Sequence, residues 1–132
     1  QLWESDGRIR VIRSKMELEE VVQQDADKIY VVEFAQHHCR PCRYFQRKYE
    51  RLSDEYQGKA DFLKLYGETN DSTKKLFKAY KIAGTPSFLL FHKGALAGRT
   101  WGINPAKLVR AIENVAEKDG SHGSDAEKGF SA

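Results

Sequence analysis

The sequence predicts an α/β fold, a mixed central β-sheet flanked by helices on both faces. Short runs of β-branched, aromatic and leucine residues alternate with stretches whose apolar residues recur every three or four positions, as strands alternating with amphipathic helices do. The run Ile29-Tyr30-Val31-Val32-Glu33-Phe34 is apolar at nearly every position, which marks a central strand covered on both sides. A chain of 132 residues suits one domain that buries a core without staples. Its composition, 40% hydrophobic and 31% charged, is that of a folded chain. The net charge is only +3, with acids and bases interspersed, so nucleic acid is not an expected partner. No apolar run approaches a membrane span, so no membrane association is expected.

Taken in order, residues 1–8 read as a loose N-terminal arm, and Ile9, Val11 and Ile12 as a short edge strand. Ser14 and Glu17 form a capping box ahead of a helix that places Leu18, Val21 and Val22 on one face. Asp25-Ala26-Asp27 turns the chain into the central strand. A helix over about residues 40–56 carries Phe45, Tyr49, Leu52 and Tyr56 and is ended by Gly58. Residues 62–66 make a strand reached through that crossover helix, which requires it to run parallel to the previous one. Asp71 is the expected N-cap of a helix bearing Leu76, Phe77 and Tyr80. The helix breaks at Ile82-Ala83-Gly84-Thr85-Pro86. Residues 87–92 and 95–101 form an antiparallel hairpin about the tight turn Lys93-Gly94. Asn104-Pro105 is an N-cap followed by proline at the first helical position, and Leu108, Ala111, Ile112 and Val115 line the last helix. The folded domain is thus residues 9–118. Residues 119–132, small and polar, read as a disordered C-terminal tail.

The only two cysteines, Cys39 and Cys42, sit in His37-His38-Cys39-Arg40-Pro41-Cys42, between the central strand and a helix. A Cys-x-x-Cys pair there reads as a thiol–disulfide redox site. Two cysteines make no disulfide framework and fit a reducing compartment. A helix N-terminus favours the Cys39 thiolate, as do the fixed charge of Arg40 and the titratable His37 and His38. His37, His38, Cys39 and Cys42 are also a zinc-type donor set, but the proline turn argues for redox chemistry, and neighbouring histidines rarely reach one ion, so no metal is expected. Glu33 is costly inside an apolar run without a use or a partner. Burial would raise its pKa and suit it to exchange a proton with Cys42. The competing role is a plain ion pair, with Lys64 on the neighbouring strand as the candidate, or an acid that reaches the surface. Trp101 reads as a packing residue. Arg40, Arg43, Arg47 and Lys48 read as a solvated helix face.

Over residues 9–118 the chain resembles the thioredoxin family, in the order of its elements and in four motifs: Val32-Glu33-Phe34, Cys39-Arg40-Pro41-Cys42, Gly84-Thr85-Pro86, and the Gly102 after the last strand. The resemblance implies a thioredoxin fold and a thiol–disulfide oxidoreductase that reduces protein disulfides by dithiol exchange. Cys39 would attack, Cys42 would resolve, and Glu33 would move the proton of Cys42. Pro86 would follow a cis bond, face the cysteines and, with Thr85 and Gly102, dock substrate. Arg40, His38 and Pro41 would tune the cysteines. The resemblance implies no cofactor beyond the Cys39–Cys42 disulfide. The implied partners are disulfide-containing proteins and a separate thioredoxin reductase as electron donor, with the chain a monomer.

The implied location is a reducing intracellular compartment: the cytoplasm, or an organelle matrix or stroma if a transit peptide has been removed. The chain starts at Gln1 rather than Met, so such a peptide would leave no trace. Three positions depart from the family pattern: His38 stands for the usual Trp, Arg40 for Gly, and Glu33 for Asp. The first two point to a somewhat weaker reductant than a thioredoxin with Gly after its first cysteine. Alternative functions are a thioredoxin-fold binding or redox-sensing subunit of a larger complex, and a more oxidising disulfide oxidase or isomerase.

Overall fold

The computed structural model describes residues 4–122; Leu2, Trp3 and the rest of the expected tail lie outside the described residues. Six strands form one sheet in the order β1-β2-β4-β3-β5-β6. β3 (Ile29–Ala35) lies inside it, buried along its whole length. It pairs parallel with β4 (Ala60–Tyr66) and antiparallel with β5 (Ser87–His92), which folds back into β6 (Ala95–Trp101). Parallel pairing of β3 and β4 follows from the crossover through α2 (Arg40–Glu55). The β5–β6 turn has positive φ at both Lys93 (56°) and Gly94 (78°), the backbone hand that matches strand twist.

Alternation along the strands sends successive side chains to opposite faces. Ile29 and Val31 meet Phe45, Tyr49 and Leu52 of α2 and Leu108, Ile112 and Val115 of α4 (Pro105–His122). Tyr30, Val32 and Phe34 meet Leu18, Val21 and Val22 of α1 (Lys15–Val22) and Leu76 of α3 (Asp71–Ala79). The parity of β3 therefore puts Glu33 on the α2 face. Tyr49 crosses that layer, its buried hydroxyl lying 2.7 Å from the Leu63 carbonyl of β4 and 3.1 Å from the Val31 carbonyl of β3.

Away from the site, the structure differs from the sequence reading at four places. Ser5–Asp6 of the supposed arm form β1, pairing antiparallel with β2 (Ile9–Val11), so residues 9–11 are not the sheet edge. A two-residue polar strand is too short to show a period-2 pattern. Asn70, not Asp71, caps α3: its side chain accepts from the Thr73 N–H, and Thr73 Oγ1 accepts from the Asn70 N–H. Ser14 accepts from Glu17 N–H as expected, but Glu17 reaches past the cap to the N–H of Arg13 and pairs with Arg10. Finally, α4 runs through the expected start of the tail at residue 119; the Asp119 carboxylate lies 3.0 Å from Lys93 Nζ and 3.4 Å from His92 Nε2. Those contacts to the hairpin hold the turn that composition alone assigns to the tail.

Candidate active site

Cys39 is the N-cap of α2 and Pro41 lies in its first turn. Proline suits that position because the first helical N–H groups have no intrahelical acceptor. Cys39 and Cys42 are joined as a disulfide with Cα atoms 5.3 Å apart. The Cys39 Sγ accepts from the Cys42 N–H at 3.1 Å. That donor and the positive helix end both stabilise negative charge on Cys39 once the bond is reduced. The two sulfurs are not equivalent. Cys42 is 1% exposed, under the helix, while Cys39 is half-buried at its rim.

The far wall of the site is the loop ahead of β5. The Thr85–Pro86 bond is cis, as the resemblance implied. The Thr85 carbonyl oxygen lies 3.5 Å from Cys39 Sγ. Gly102, at φ 100°, donates its N–H to the Pro86 carbonyl at 3.0 Å, so the end of β6 is tied to the cis bond. A side chain at Gly102 would be strained by that φ. Thr85, Pro86 and Gly102 thus stand together opposite Cys39. Trp101 is not packed away as the sequence reading had it. It is 61% exposed and lies across Gly84, where a Cβ would meet its Nε1 at 2.6 Å. Together with Ala83, Arg99 and Lys81 these residues line a shallow groove behind the cis-proline loop.

Glu33 is fully buried, and neither carboxylate oxygen has a hydrogen-bond partner among the described residues. Its register partner on β4 is Lys64, itself 2% exposed. Burial pushes the Glu33 carboxyl up to about 7; Lys64 offsets part of the rise and Asp6 adds to it. The Lys64 ammonium does not hydrogen-bond Glu33. It donates to Asp6 Oδ2 at 2.7 Å and Gln46 Oε1 at 2.8 Å, and lies 5.0 Å from the centre of the Tyr66 ring. The ion pair weighed for Glu33 is therefore only a through-space attraction. Burial works against the charge of Lys64, but Glu33, Asp6 and Tyr66 hold its pKa above the ordinary value. Burial likewise opposes ionisation of Asp6, and the hydrogen bonds from Lys64 and Tyr66 hold it below the ordinary carboxylate range.

The two histidines before Cys39 take separate partners. His37 stacks on Tyr66 with ring centres 3.8 Å apart, while His38 is 86% exposed and faces Glu68 at 3.8 Å. The two histidines point to different partners, and no metal-binding group of three His, Cys, Asp or Glu occurs among the described residues. Arg40 is exposed, and its side chain makes no ion pair or hydrogen bond among the described residues. Glu68 accepts from the His37 N–H at 2.9 Å and so tethers the loop before the cysteines, adding a negative charge that sequence reasoning did not anticipate. Asp6, Gln46 and Tyr66 were missed as well. Lys64, a charge within the apolar run Phe62-Leu63-Lys64-Leu65, is the signal from which a buried polar cluster was legible.

Comparison with known proteins agrees with this geometry. The family model described as Thioredoxin matches residues 10–114. Thioredoxin-1 of Saccharomyces cerevisiae is 34% identical over 87 residues, 65% of this chain and 80% of its own length. A Caenorhabditis briggsae peptide-N(4)-(N-acetyl-beta-glucosaminyl)asparagine amidase is 30% identical over 105 residues, 79% of this chain but only 17% of its own length. The structure of a redox protein from Chlamydomonas reinhardtii superimposes with a TM-score of 0.77 at 33% identity, covering 86% of this chain and 37% of that one. The chain therefore spans a small part of some relatives and most of others. A disulfide at a helix N-terminus, facing a cis-proline on this sheet, and a family match across residues 10–114 lead to one conclusion: this chain belongs to the thioredoxin family.

Proposed function

We propose that this chain is a thiol–disulfide oxidoreductase that reduces protein disulfides by dithiol exchange through Cys39 and Cys42. The observation that carries the reading is the asymmetry of the pair: one sulfur at the rim of a helix N-terminus, opposite Pro86, and the other buried behind it. In the reduced protein the Cys39 thiolate attacks one sulfur of the substrate disulfide. The new bond is a mixed disulfide, and the substrate's other sulfur leaves as a thiolate that takes up a proton. Cys42 then transfers its proton to the Glu33 carboxylate, and its thiolate attacks Cys39 Sγ. The Cys39–Cys42 disulfide forms, and the second substrate sulfur leaves as a thiolate. Two electrons have moved from this chain to the substrate.

Thr85, Pro86 and Gly102 bind the substrate backbone beside Cys39. Arg40, His38 and Pro41 set how readily Cys39 ionises. No organic cofactor or metal enters the cycle; the disulfide itself carries the electrons, and a separate thioredoxin reductase returns them. The chain works as a monomer in a reducing intracellular compartment, the cytoplasm or an organelle matrix or stroma. The test is turbidimetric reduction of insulin with dithiothreitol. Wild type accelerates precipitation and Cys39→Ser does not; acceleration that survives Cys39→Ser refutes the reading.

A further inference from the structure

β1 is only two residues long, yet Asp6 sends its carboxylate to the buried charges near the cysteines. Glu33 and Lys64 are register partners, and a lysine confined beside a buried carboxylate ordinarily hydrogen-bonds it. Here it does not. Two of the three ammonium donors are directed to Asp6 and Gln46, and Asp6 belongs to β1, which lies across β4 from β3 and Glu33. Asp6 is itself braced, accepting from the Tyr66 hydroxyl, and the Tyr66 ring is held by the stacked His37. Gln46 also donates to the Asp6 carbonyl at 3.0 Å, fixing β1 to α2. Asp6, Lys64, Tyr66, His37, Gln36, Arg43 and Gln46 line one cavity of about 320 Å³ whose wall includes Cys42.

We propose that Asp6 is a positioning residue of this site: by drawing the Lys64 ammonium toward β1, it leaves Glu33 with no hydrogen-bonded counter-ion and so able to take up the proton of Cys42. The proposal rests on the reading of Glu33 as the proton acceptor. The charged or polar groups that act on Glu33 or feel its charge are Lys64 from β4, Asp6 from β1 and Tyr49 from α2; β5 and α4 bring the apolar Phe88, Leu90, Leu108, Ile112 and Val115 to that face. Arg43 and His37 stand at the cavity rim. Removing the Asp6 charge acts on Glu33 in one direction by two routes. A nearby negative charge disappears, and Lys64 becomes free to donate to Glu33. Both favour the ionised carboxylate.

The measurement is a carbon NMR titration of the Glu33 carboxyl in the full chain, which needs no turnover. Asp6→Asn, close in shape to the parent residue, should move the Glu33 midpoint toward acid by about one pH unit. Tyr66→Phe, which removes the hydroxyl that braces Asp6 and supports Lys64 but leaves the Asp6 charge in place, should move it the same way by less. In a Lys64→Met background the positioning route is gone and only the direct charge effect remains, so the Asp6→Asn shift should shrink at least by half. A midpoint unmoved by both Asp6→Asn and Tyr66→Phe overturns the proposal, as does an Asp6→Asn shift equal with and without Lys64. The acid limb of the Cys42 resolution rate should move with the midpoint; a limb that stays in place while the midpoint moves refutes Glu33 as acceptor. Insulin reduction that survives Cys39→Ser would instead refute dithiol exchange, so the failures are told apart.

Discussion

Replacing Glu33 by Gln removes a buried acid while keeping its shape, and the effect on stability should depend on pH in a definite way. The unfolded carboxyl ionises near its ordinary 4.5 and the folded one at about 7, because burial opposes the charge more than Lys64 supports it. At pH below 4.5 both states hold the proton and Glu33 has no electrostatic cost. As pH rises from 4.5 to 7 the unfolded state ionises freely while the native state resists, so stability is lost across that window and the loss is complete above it. At ~1.4 kcal/mol per pH unit the full loss is about 3 kcal/mol. Gln does not titrate, so Glu33→Gln should escape this loss. Any fixed penalty for burying the amide cancels when the difference between variant and wild type is compared at two pH values. Urea denaturation of the oxidised proteins, at about pH 4 and about pH 8, should show the variant gaining on the wild type by about 3 kcal/mol at the higher pH. Curves that run parallel between those values would mean that Glu33 ionises in the native state as it does in the unfolded chain, and the account of the buried acid would be wrong.

Three further outcomes are expected. Tyr49→Phe deletes the hydroxyl that reaches the Leu63 and Val31 carbonyls across β3 and β4, and thermal or chemical denaturation should show a loss of roughly 1–2 kcal/mol. Gly84→Ala places a Cβ 2.6 Å from Trp101 Nε1, which forces the indole off the cis-proline loop; tryptophan emission should shift, and KM for protein disulfides should rise while kcat is unchanged. Arg40→Gly removes an exposed positive charge next to Cys39. Equilibration with glutathione should show a potential more reducing than wild type by on the order of 10 mV, a small value because solvent screens the exposed guanidinium.

Most of the fold was legible because its signals are local. The continuous apolar run of β3, the Lys93-Gly94 turn and the Asn104-Pro105 helix start each follow from a few adjacent residues. The reactive pair was legible for the same reason, since Cys39 and Cys42 are neighbours in sequence and on one helix end. What was not legible depends on pairing between distant segments. Asp6 lies 58 residues from Lys64, in a stretch with no period, and nothing local says that it reaches the sheet interior. Glu68 reads as a loop acid until β4 brings it beside His37 and His38. Glu33 lies between: its oddity within an apolar run was visible, and Lys64 was a visible candidate partner, but only the register and the pull of Asp6 show why the two do not hydrogen-bond.

The most direct test of dithiol exchange is to trap its intermediate. Cys42→Ser, incubated reduced with a disulfide-containing protein, should accumulate a covalent adduct through Cys39 that mass spectrometry detects and dithiothreitol releases, because the buried resolving sulfur is gone. Cys39→Ser should form none. An adduct that forms equally through Cys42 in the Cys39→Ser protein would contradict the assignment of the rim sulfur as nucleophile and the buried one as resolver.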